Sequence, residues 1–210
     1  MKKLILPALA IISLLGFSGC PSVSSKSQTP FTTEKNNLVV HTYSGVVFPE
    51  RIGPFTREGF RVYDQNGLDV SATYNCRSPV QITATVYSFP SPKLIPIGSP
   101  SEVIHSAREQ LTANYFDEIK QEIIRAHPGA VELQSKDIEG DESTIGKFAE
   151  YKFTESFWGQ TRDLNSRLYL FTYFGGKWTV QYRFTYPANP DANKAVDAFV
   201  KEYKWLKRAE

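Results

Sequence analysis

A Gly-Gly pair at 175–176 divides residues 167–186 into two runs of strand-forming residues, and this stretch constrains the fold most strongly. Two adjacent glycines accept the positive φ angles that a tight hairpin turn needs. Aromatic and β-branched pairs across such a hairpin stabilise a sheet, and a one-residue slip would turn them to the opposite face. We therefore predict a hairpin of fixed register at the centre of an antiparallel sheet. Counted outward from the turn, its pairs on one face are Tyr173 with Trp178, Phe171 with Val180, Tyr169 with Tyr182, and Arg167 with Phe184.

Alternation of apolar and polar residues predicts further strands on both sides of a long helix. Between the first two strands, residues 48–55 contain prolines, and we expect their apolar residues Phe48, Ile52 and Phe55 to cover an edge of the core. A turn over residues 76–79 joins the next two strands into a second hairpin. In chain order, the predicted strands cover residues 38–47, 60–63, 68–74, 80–89, 131–138 and 145–155.

Capping patterns predict two helices. Ser99 is a candidate N-cap, with Pro100 at the first helical position and Glu102 completing a capping box. Apolar residues then recur every four residues from Val103 to Ile123, and His127-Pro128-Gly129 ends the helix. A C-terminal helix is predicted to follow Asn189 as its cap. Its apolar stripe is Ala192, Ala195, Val196, Phe199, Val200, Tyr203 and Leu206.

These elements predict the α+β class, with a largely antiparallel sheet packed against the long helix and the C-terminal helix. From Leu68 to Leu206 the predicted order is ββαββββα. This order and the capping residues resemble the fold shared by PsbP of photosystem II and the bacterial lipoprotein DcrB. PsbP-type proteins are accessory or assembly factors rather than enzymes. The resemblance therefore implies a binding role, although a fold does not by itself determine a function.

Residues 1–19 are typical of a secretory signal peptide. Lys2 and Lys3 precede an apolar run that is too short to span a bilayer comfortably. The run Phe17-Ser18-Gly19-Cys20 resembles the lipobox of bacterial lipoproteins, in which the Cys thiol receives a diacylglycerol and the leader is cut before it. The resemblance implies that Cys20 is lipidated. The alternative is an ordinary cleaved signal that leaves Cys20 as a free thiol.

Residues 20–37 then form the lipidated Cys and a polar, flexible tether, and residues 38–210 form a single α+β domain. Without Lys2 and Lys3, the chain carries 22 basic and 22 acidic residues, so its net charge offers no attraction to nucleic acid. We expect membrane attachment through the acyl chains on Cys20, because two or three such chains hold stably. This places the protein in the bacterial cell envelope, facing the periplasm or exterior, and at the outer membrane if the organism is Gram-negative.

The sequence contains no nucleophile elbow, phosphate-binding loop, dinucleotide-binding glycine pattern or zinc-protease motif. His105 and His127 are about 33 Å apart along a straight helix, too far to share a metal ion. Cys76 is either a redox-active or partner-forming thiol, or else a small buried hydrophobic residue or a tolerated turn residue, and we favour a role without reactivity. Asp141 and Glu142 are most simply read as polar turn residues. We therefore predict no catalytic residues, no cofactor and no metal site.

Two places remain as candidate binding sites. Phe157 and Trp158 lie in a predicted loop between two strands, where they either fold back over the core or form an exposed contact for a partner. We take the exposed contact as the hypothesis to test. The second place is the groove between helix and sheet, which Tyr and Trp side chains could line. The predicted function is a non-catalytic binding or assembly module with an envelope protein as partner. The alternative is a small-ligand carrier or a hydrolase with a pocket between helix and sheet.

Overall fold

An eight-stranded antiparallel sheet carries the predicted hairpin near its centre. The computed structural model describes residues 29–34, 37–93, 100–140 and 144–203. The large sheet has the strand order β4-β5-β6-β7-β11-β10-β9-β8, and β1 to β3 form a small separate sheet. This architecture confirms the α+β class with a large antiparallel sheet and two helices. The elements are β1 Phe31–Thr33, β2 Val39–His41, β3 Val47–Phe48, β4 Arg51–Ile52, β5 Phe55–Val62, β6 Val70–Cys76, β7 Ile82–Pro90, α1 Ser101–Ala126, β8 Val131–Ile138, β9 Ile145–Phe157, β10 Gln160–Phe174, β11 Trp178–Pro187 and α2 Pro190–Tyr203.

The register of the central hairpin is confirmed along most of its length and wrong at its tip. Phe171 pairs with Val180, and the predicted pairs below them also form. At the tip, Phe174 rather than Tyr173 lies opposite Trp178. The reason is a bulge at Tyr173, whose φ is +63°, followed by a three-residue turn over residues 175–177. Both turn glycines have positive φ, as the sequence requires.

The two faces of the large sheet are covered by different helices. On one face, α2 packs against aromatic residues of β11 such as Tyr182 and Phe184. On the other face, α1 packs against leucines of β10, Leu164, Leu168 and Leu170. Side chains alternate between the faces of a strand, so consecutive residues of β10 enter two separate cores. The hairpin is therefore buried on both faces, and a one-residue shift in its register would move each row of side chains from one core into the other.

The N-terminal strands differ from the prediction. Phe31–Thr33, which the sequence places in the tether, form β1 and pair with β2. The predicted strand over residues 38–47 is instead two short strands separated by a turn. His41 explains why this segment is ordered, because its buried ring hydrogen-bonds through Nε2 to the carbonyl oxygen of Gly67 at 2.8 Å. Its Nδ1 lies 2.7 Å from the hydroxyl of Ser44. As predicted, Phe48, Ile52 and Phe55 are all buried in the core.

Helix boundaries agree with the capping signals to within one or two residues. α1 begins at Ser101 with Pro100 in the N-cap position, while Ser99 lies outside the described residues. α2 begins at Pro190, and Oδ1 of Asn189 accepts a hydrogen bond from the Asp191 amide at 2.8 Å. The stripe of α2 is buried at Ala192, Val196, Phe199 and Tyr203, while Leu206 lies outside the described residues. Neither helix in the described ranges is long and apolar enough to cross a bilayer.

The stripe of α1 is only partly buried, which corrects the sequence interpretation. Phe116, Ile119 and Ile123 reach the sheet, whereas Val103 is 55% exposed and Ile124 also faces solvent. Thr112 is the remaining buried residue, and its hydroxyl lies 2.7 Å from that of Thr172 on β10. The contact of α1 with the sheet is therefore narrower than its apolar pattern suggests, which leaves room for grooves along the helix.

We expect Phe199→Ala to destabilise the protein by about 3–5 kcal/mol, because it removes a buried ring from the centre of the α2 interface. The ring of Phe199 lies between those of Phe55 and Phe184, at centroid distances of 4.8 and 5.2 Å. Urea unfolding followed by tryptophan fluorescence measures the change. As a control, Val103→Ala on the exposed side of α1 should alter the unfolding free energy by less than about 0.5 kcal/mol. A loss below about 1 kcal/mol for Phe199→Ala would contradict this packing.

Candidate functional site

The structure places the two aromatic residues of the predicted contact site in different environments, one buried and one exposed. Phe157 is the last residue of β9, is 9% exposed and belongs to the core beneath α1. The expectation that it is exposed is therefore wrong. The cause is a turn much tighter than expected, because only residues 158–159 connect β9 to β10 and Phe157 pairs directly with Gln160. In strand geometry its side chain points to the α1 face.

Trp158 is the exposed member, with 38% of its surface accessible. It occupies the turn at a φ of +51°, which is uncommon for a bulky residue. Its indole N–H donates a hydrogen bond to the hydroxyl of Thr83 on β7 at 3.3 Å, and the guanidinium of Arg77 lies over its ring at 5.6 Å. Trp158 thus lies across the end of the sheet as a half-covered residue. Its role in partner contact stays a prediction.

The other residues considered from the sequence are dispersed. Cys76 is fully buried, and burial raises the pKa of its thiol. Cys20, Asp141 and Glu142 lie outside the described residues. His105 forms a surface pair with Glu109 at 3.3 Å. Within the described ranges, no three His, Cys, Asp or Glu side chains are grouped so that they could hold a metal ion.

A groove does lie between α1 and the sheet, at the place that the sequence suggests as the second candidate. Its volume is about 350 Å³, within the range of small-molecule sites. The wall from α1 consists of residues in its second half, and the floor comes from β7 and β11. The loop between β5 and β6 closes one end. The lining residues are Tyr63, Asp69, Tyr87, Phe89, Tyr115, Ile119, Glu122, Ile123, Ala126, Gln181 and Arg183.

The polar floor of the groove follows from strand alternation. On β11, Tyr182 and Phe184 face α2, so Gln181 and Arg183 must face α1. Tyr87 on β7 lies directly opposite Gln181 in the ladder. The floor therefore carries amide, phenol and guanidinium groups in adjacent positions, where a fully packed core would have apolar residues.

Arg183 is held by a chain of side chains behind the groove. Its Nη2 donates to Nε2 of His127 at 2.6 Å, and Nδ1 of His127 lies 2.8 Å from Oε1 of Glu155. Because a guanidinium can only donate, Nε2 is the unprotonated nitrogen, and Nδ1 carries the proton that is donated to Glu155. The imidazole also stacks on the ring of Phe153 at 4.3 Å. Both nitrogens of His127 are thus engaged in orienting Arg183.

Asp69 places a carboxylate in the groove near its aromatic end. Burial, and to a lesser degree the nearby charge of Asp64, raises the pKa of Asp69 to about 6. The Asp64 carboxylate itself accepts the backbone amides of Leu68 and Asp69 at 2.8 and 3.0 Å, which orders the loop. Burial also raises the pKa of the Tyr87 phenol, which is a further sign that this part of the groove is shielded from water.

The groove consequently offers a fixed cation, a carboxylate and phenol groups to a ligand. Hydrogen bonding to Arg183 and burial against Tyr87 and Tyr115 could orient a polar molecule or a peptide segment. Sequence reasoning missed Asp69 and Arg183 because they are far apart in the chain. The available signal was polar residues at every second position of β11, opposite a strongly apolar face.

Comparisons with known proteins add no assignment, because the chain matches no protein-family profile, no curated protein and no solved structure.

Asp69 should make the stability of the protein depend on pH. Its folded-state pKa of about 6 lies above the ordinary 3.8, so the folded protein binds a proton more tightly than the unfolded chain. The stabilisation is complete below about pH 4 and is lost as the pH rises through about 6. Relative to Asp69→Asn, the wild type should therefore lose about 1–3 kcal/mol between pH 4 and pH 7.5.

Urea unfolding curves at pH 4, 5, 6 and 7.5 test this expectation. Comparing variant with wild type removes contributions common to both proteins, such as that of buried His41, whose pKa is lowered by burial. Gln121→Asn, at an exposed position of α1, is the control and should give a pH-independent difference because neither side chain titrates. A difference for Asp69→Asn that does not change with pH would contradict the buried environment of this carboxylate.

Proposed function

We propose that this protein is a lipid-anchored, non-catalytic binding or assembly module of the bacterial cell envelope, with the α1 groove as its contact site. The observation that carries the binding role is the guanidinium of Arg183, held in a groove by His127 and Glu155. Rigidly held polar groups beside aromatic surface favour recognition, because little side-chain entropy is lost when a ligand binds. His127 has both nitrogens in use, which favours a positioning role over proton transfer to a ligand.

The anchor is proposed from the sequence around Cys20. The described fold starts close behind it, since β1 begins at Phe31. The predicted tether of residues 20–37 therefore overlaps the fold, and its residues 20–28 lie outside the described residues. A groove on a domain attached through Cys20 would meet partners that are themselves embedded in or attached to the envelope. If the organism is Gram-negative, we propose the outer membrane as the site of attachment.

The finer fold assignment, to the fold shared by PsbP and DcrB, is part of the same proposal. It is supported by the order of elements from β6 to α2, which is two strands, a helix, four strands and a helix. Such an assignment would favour an accessory or assembly role. The volume of the groove also supports the alternative function, a carrier of a small ligand, because it suits a small molecule as well as a peptide side chain.

Changing Cys20→Ser should abolish lipidation, because the thiol is the only group at that position that can accept the diacylglycerol. Cells grown with a clickable fatty acid should label the wild type and leave the variant unlabelled and unprocessed. Cys76→Ser is the control for the second cysteine, and it should keep the label since Cys76 is buried in the domain. Equal labelling of wild type and Cys20→Ser would disprove the anchor.

The groove can be tested by placing a photoreactive phenylalanine analogue at Tyr63, which is 46% exposed at the rim. Irradiation of whole cells should give a defined adduct. Arg183→Gln in the same protein should reduce its yield at least tenfold, because the oriented guanidinium is lost. The same analogue at exposed Val103, which does not line the groove, should not form this adduct.

The mass of the adduct separates the two functions. A protein adduct that depends on Arg183 supports the binding or assembly role, and a mass increase below about 1 kDa supports the carrier. Thermal melting should first show that the Tyr63 photoprobe protein is folded both with and without Arg183→Gln. If the adduct yield is then the same in both, the groove is not the site of contact.

A further inference from the structure

A second, chemically different pocket lies at the tip of the central hairpin. It has a volume of about 320 Å³ and shares no lining residue with the α1 groove. Apolar and aromatic side chains form much of its surface, and three cationic side chains, Ser91 and Gly176 form the rest. The lining residues are Leu68, Pro90, Ser91, Pro92, Lys93, Arg108, Tyr173, Gly176, Lys177 and Trp178.

Three positive charges converge on this pocket without a compensating carboxylate. They belong to Lys93, Arg108 and Lys177, and no acidic residue is among the described residues that line the pocket. In the described part of the chain none of the three forms an ion pair, although nine such pairs occur elsewhere in it. Like charges that share a partly apolar site repel one another, and an anion bound between them would relieve that repulsion.

Arg108 is the most constrained of these cations. Its guanidinium lies over the ring of Tyr173 at 4.7 Å, and this cation–π contact holds it beside the pocket. The Nε atom of Arg108 is buried and has no hydrogen-bond partner among the described residues. A buried donor without a partner is costly, so a ligand oxygen that reached it would satisfy a group that the fold leaves open.

The aromatic wall is built by an unusual backbone. Tyr173 has a φ of +63° at the bulge of β10, a conformation that costs a bulky residue free energy. The hydroxyl of Ser91 maintains it by accepting the Tyr173 amide at 2.9 Å, and it also contacts the hydroxyl of Thr179 at 2.9 Å. The phenol of Tyr173 donates to the carbonyl of Pro92 at 3.3 Å. Hydrogen bonds from both its amide and its phenol therefore hold a strained residue where its ring can support Arg108.

We propose that this pocket binds a small amphipathic anion, with a carboxylate or phosphate head near Arg108 and an apolar body of aromatic-ring size against Tyr173 and Trp178. The cations recognise the head through charge-assisted hydrogen bonds. The apolar lining excludes water from the body of the ligand, which separates this class from inorganic anions. Because the pocket and the groove share no residue, this inference stands independently of the proposed function.

Ligand-observed ¹⁹F NMR on the full chain in a nonionic detergent tests the inference with three probes of one shape. These are 4-fluorophenyl phosphate, 4-fluorophenylacetate and the neutral 2-(4-fluorophenyl)ethanol. Both acids should bind, and the alcohol should bind at least tenfold more weakly. The tighter of the two acids identifies the head group. Inorganic phosphate should displace them only at concentrations at least tenfold higher, because it lacks the apolar body.

Two variants test the cations. Arg108→Met retains an apolar side chain over Tyr173 but removes the charge, so Kd for the acids should rise at least tenfold. The double change Lys93→Gln and Lys177→Gln alters only exposed positions, should leave the melting temperature unchanged and should weaken binding about threefold or more. Lys194→Gln on α2, where the side chain is 81% exposed, is the matched control and should bind like the wild type.

Three results would overturn the inference. The first is equal affinity for the alcohol and the acids, which would remove the role of the charge. The second is wild-type affinity in both the Arg108 variant and the double lysine variant. The third is that inorganic phosphate binds as tightly as 4-fluorophenyl phosphate and displaces it at equal concentration. That result would show that the apolar wall does not contribute to binding. Arg183→Gln, which alters the groove alone, should bind the acids normally and so separates this site from the proposed function.

Discussion

Burial of β10 and β11 on both faces is the constraint on which the rest of the structure depends. Leu168 and Leu170 of β10 are fully buried beneath α1, while Tyr182 and Phe184 of the neighbouring strand β11 reach the opposite core beneath α2. A strand pair in this position cannot slip without moving apolar side chains into the wrong core. The fixed register in turn places every residue of the neighbouring strands β7 and β9, and the two helices dock on the surfaces that these strands present.

The same burial also requires that polar residues on the α1 face of the sheet find hydrogen-bond partners. Thr172 and Thr179 are buried there, and each satisfies its hydroxyl with a partner, Thr112 on α1 and Ser91 after β7. Buried polar groups stabilise a fold only when they are paired, so these contacts specify the position of α1. Farther along β11, the polar side chains of Gln181 and Arg183 face α1. The helix does not pack closely against them, and the groove forms in the space between helix and sheet.

Charge is distributed differently on the two faces. Beneath α2, Arg167 is nearly buried and donates to Glu150 and Asp197, both at 2.8 Å, which joins β9, β10 and α2. Arg167 and Glu150 form the buried pair, and removal of either would leave an uncompensated charge, whereas the Asp197 carboxylate that links Arg167 to α2 is 65% exposed. The cations at the hairpin tip have no comparable acidic partners in the described ranges. This contrast between a compensated and an uncompensated group distinguishes a structural contact from a binding pocket.

The sequence by itself determined the elements whose signals are local. Strand alternation, the glycine turn and the cap at Asn189 predicted the α+β class, the central hairpin and the start of α2, because these depend on neighbouring residues. Only the tertiary structure decided that Tyr173 bulges, since the hydroxyl that accepts its amide belongs to Ser91. It likewise decided that Phe157 is buried and that Asp69 and Arg183 line one groove. Such pairings depend on strand order and helix placement, which are set by packing over the whole sheet; the alternation of β11 gives the face of Arg183 but not the residues that it meets there.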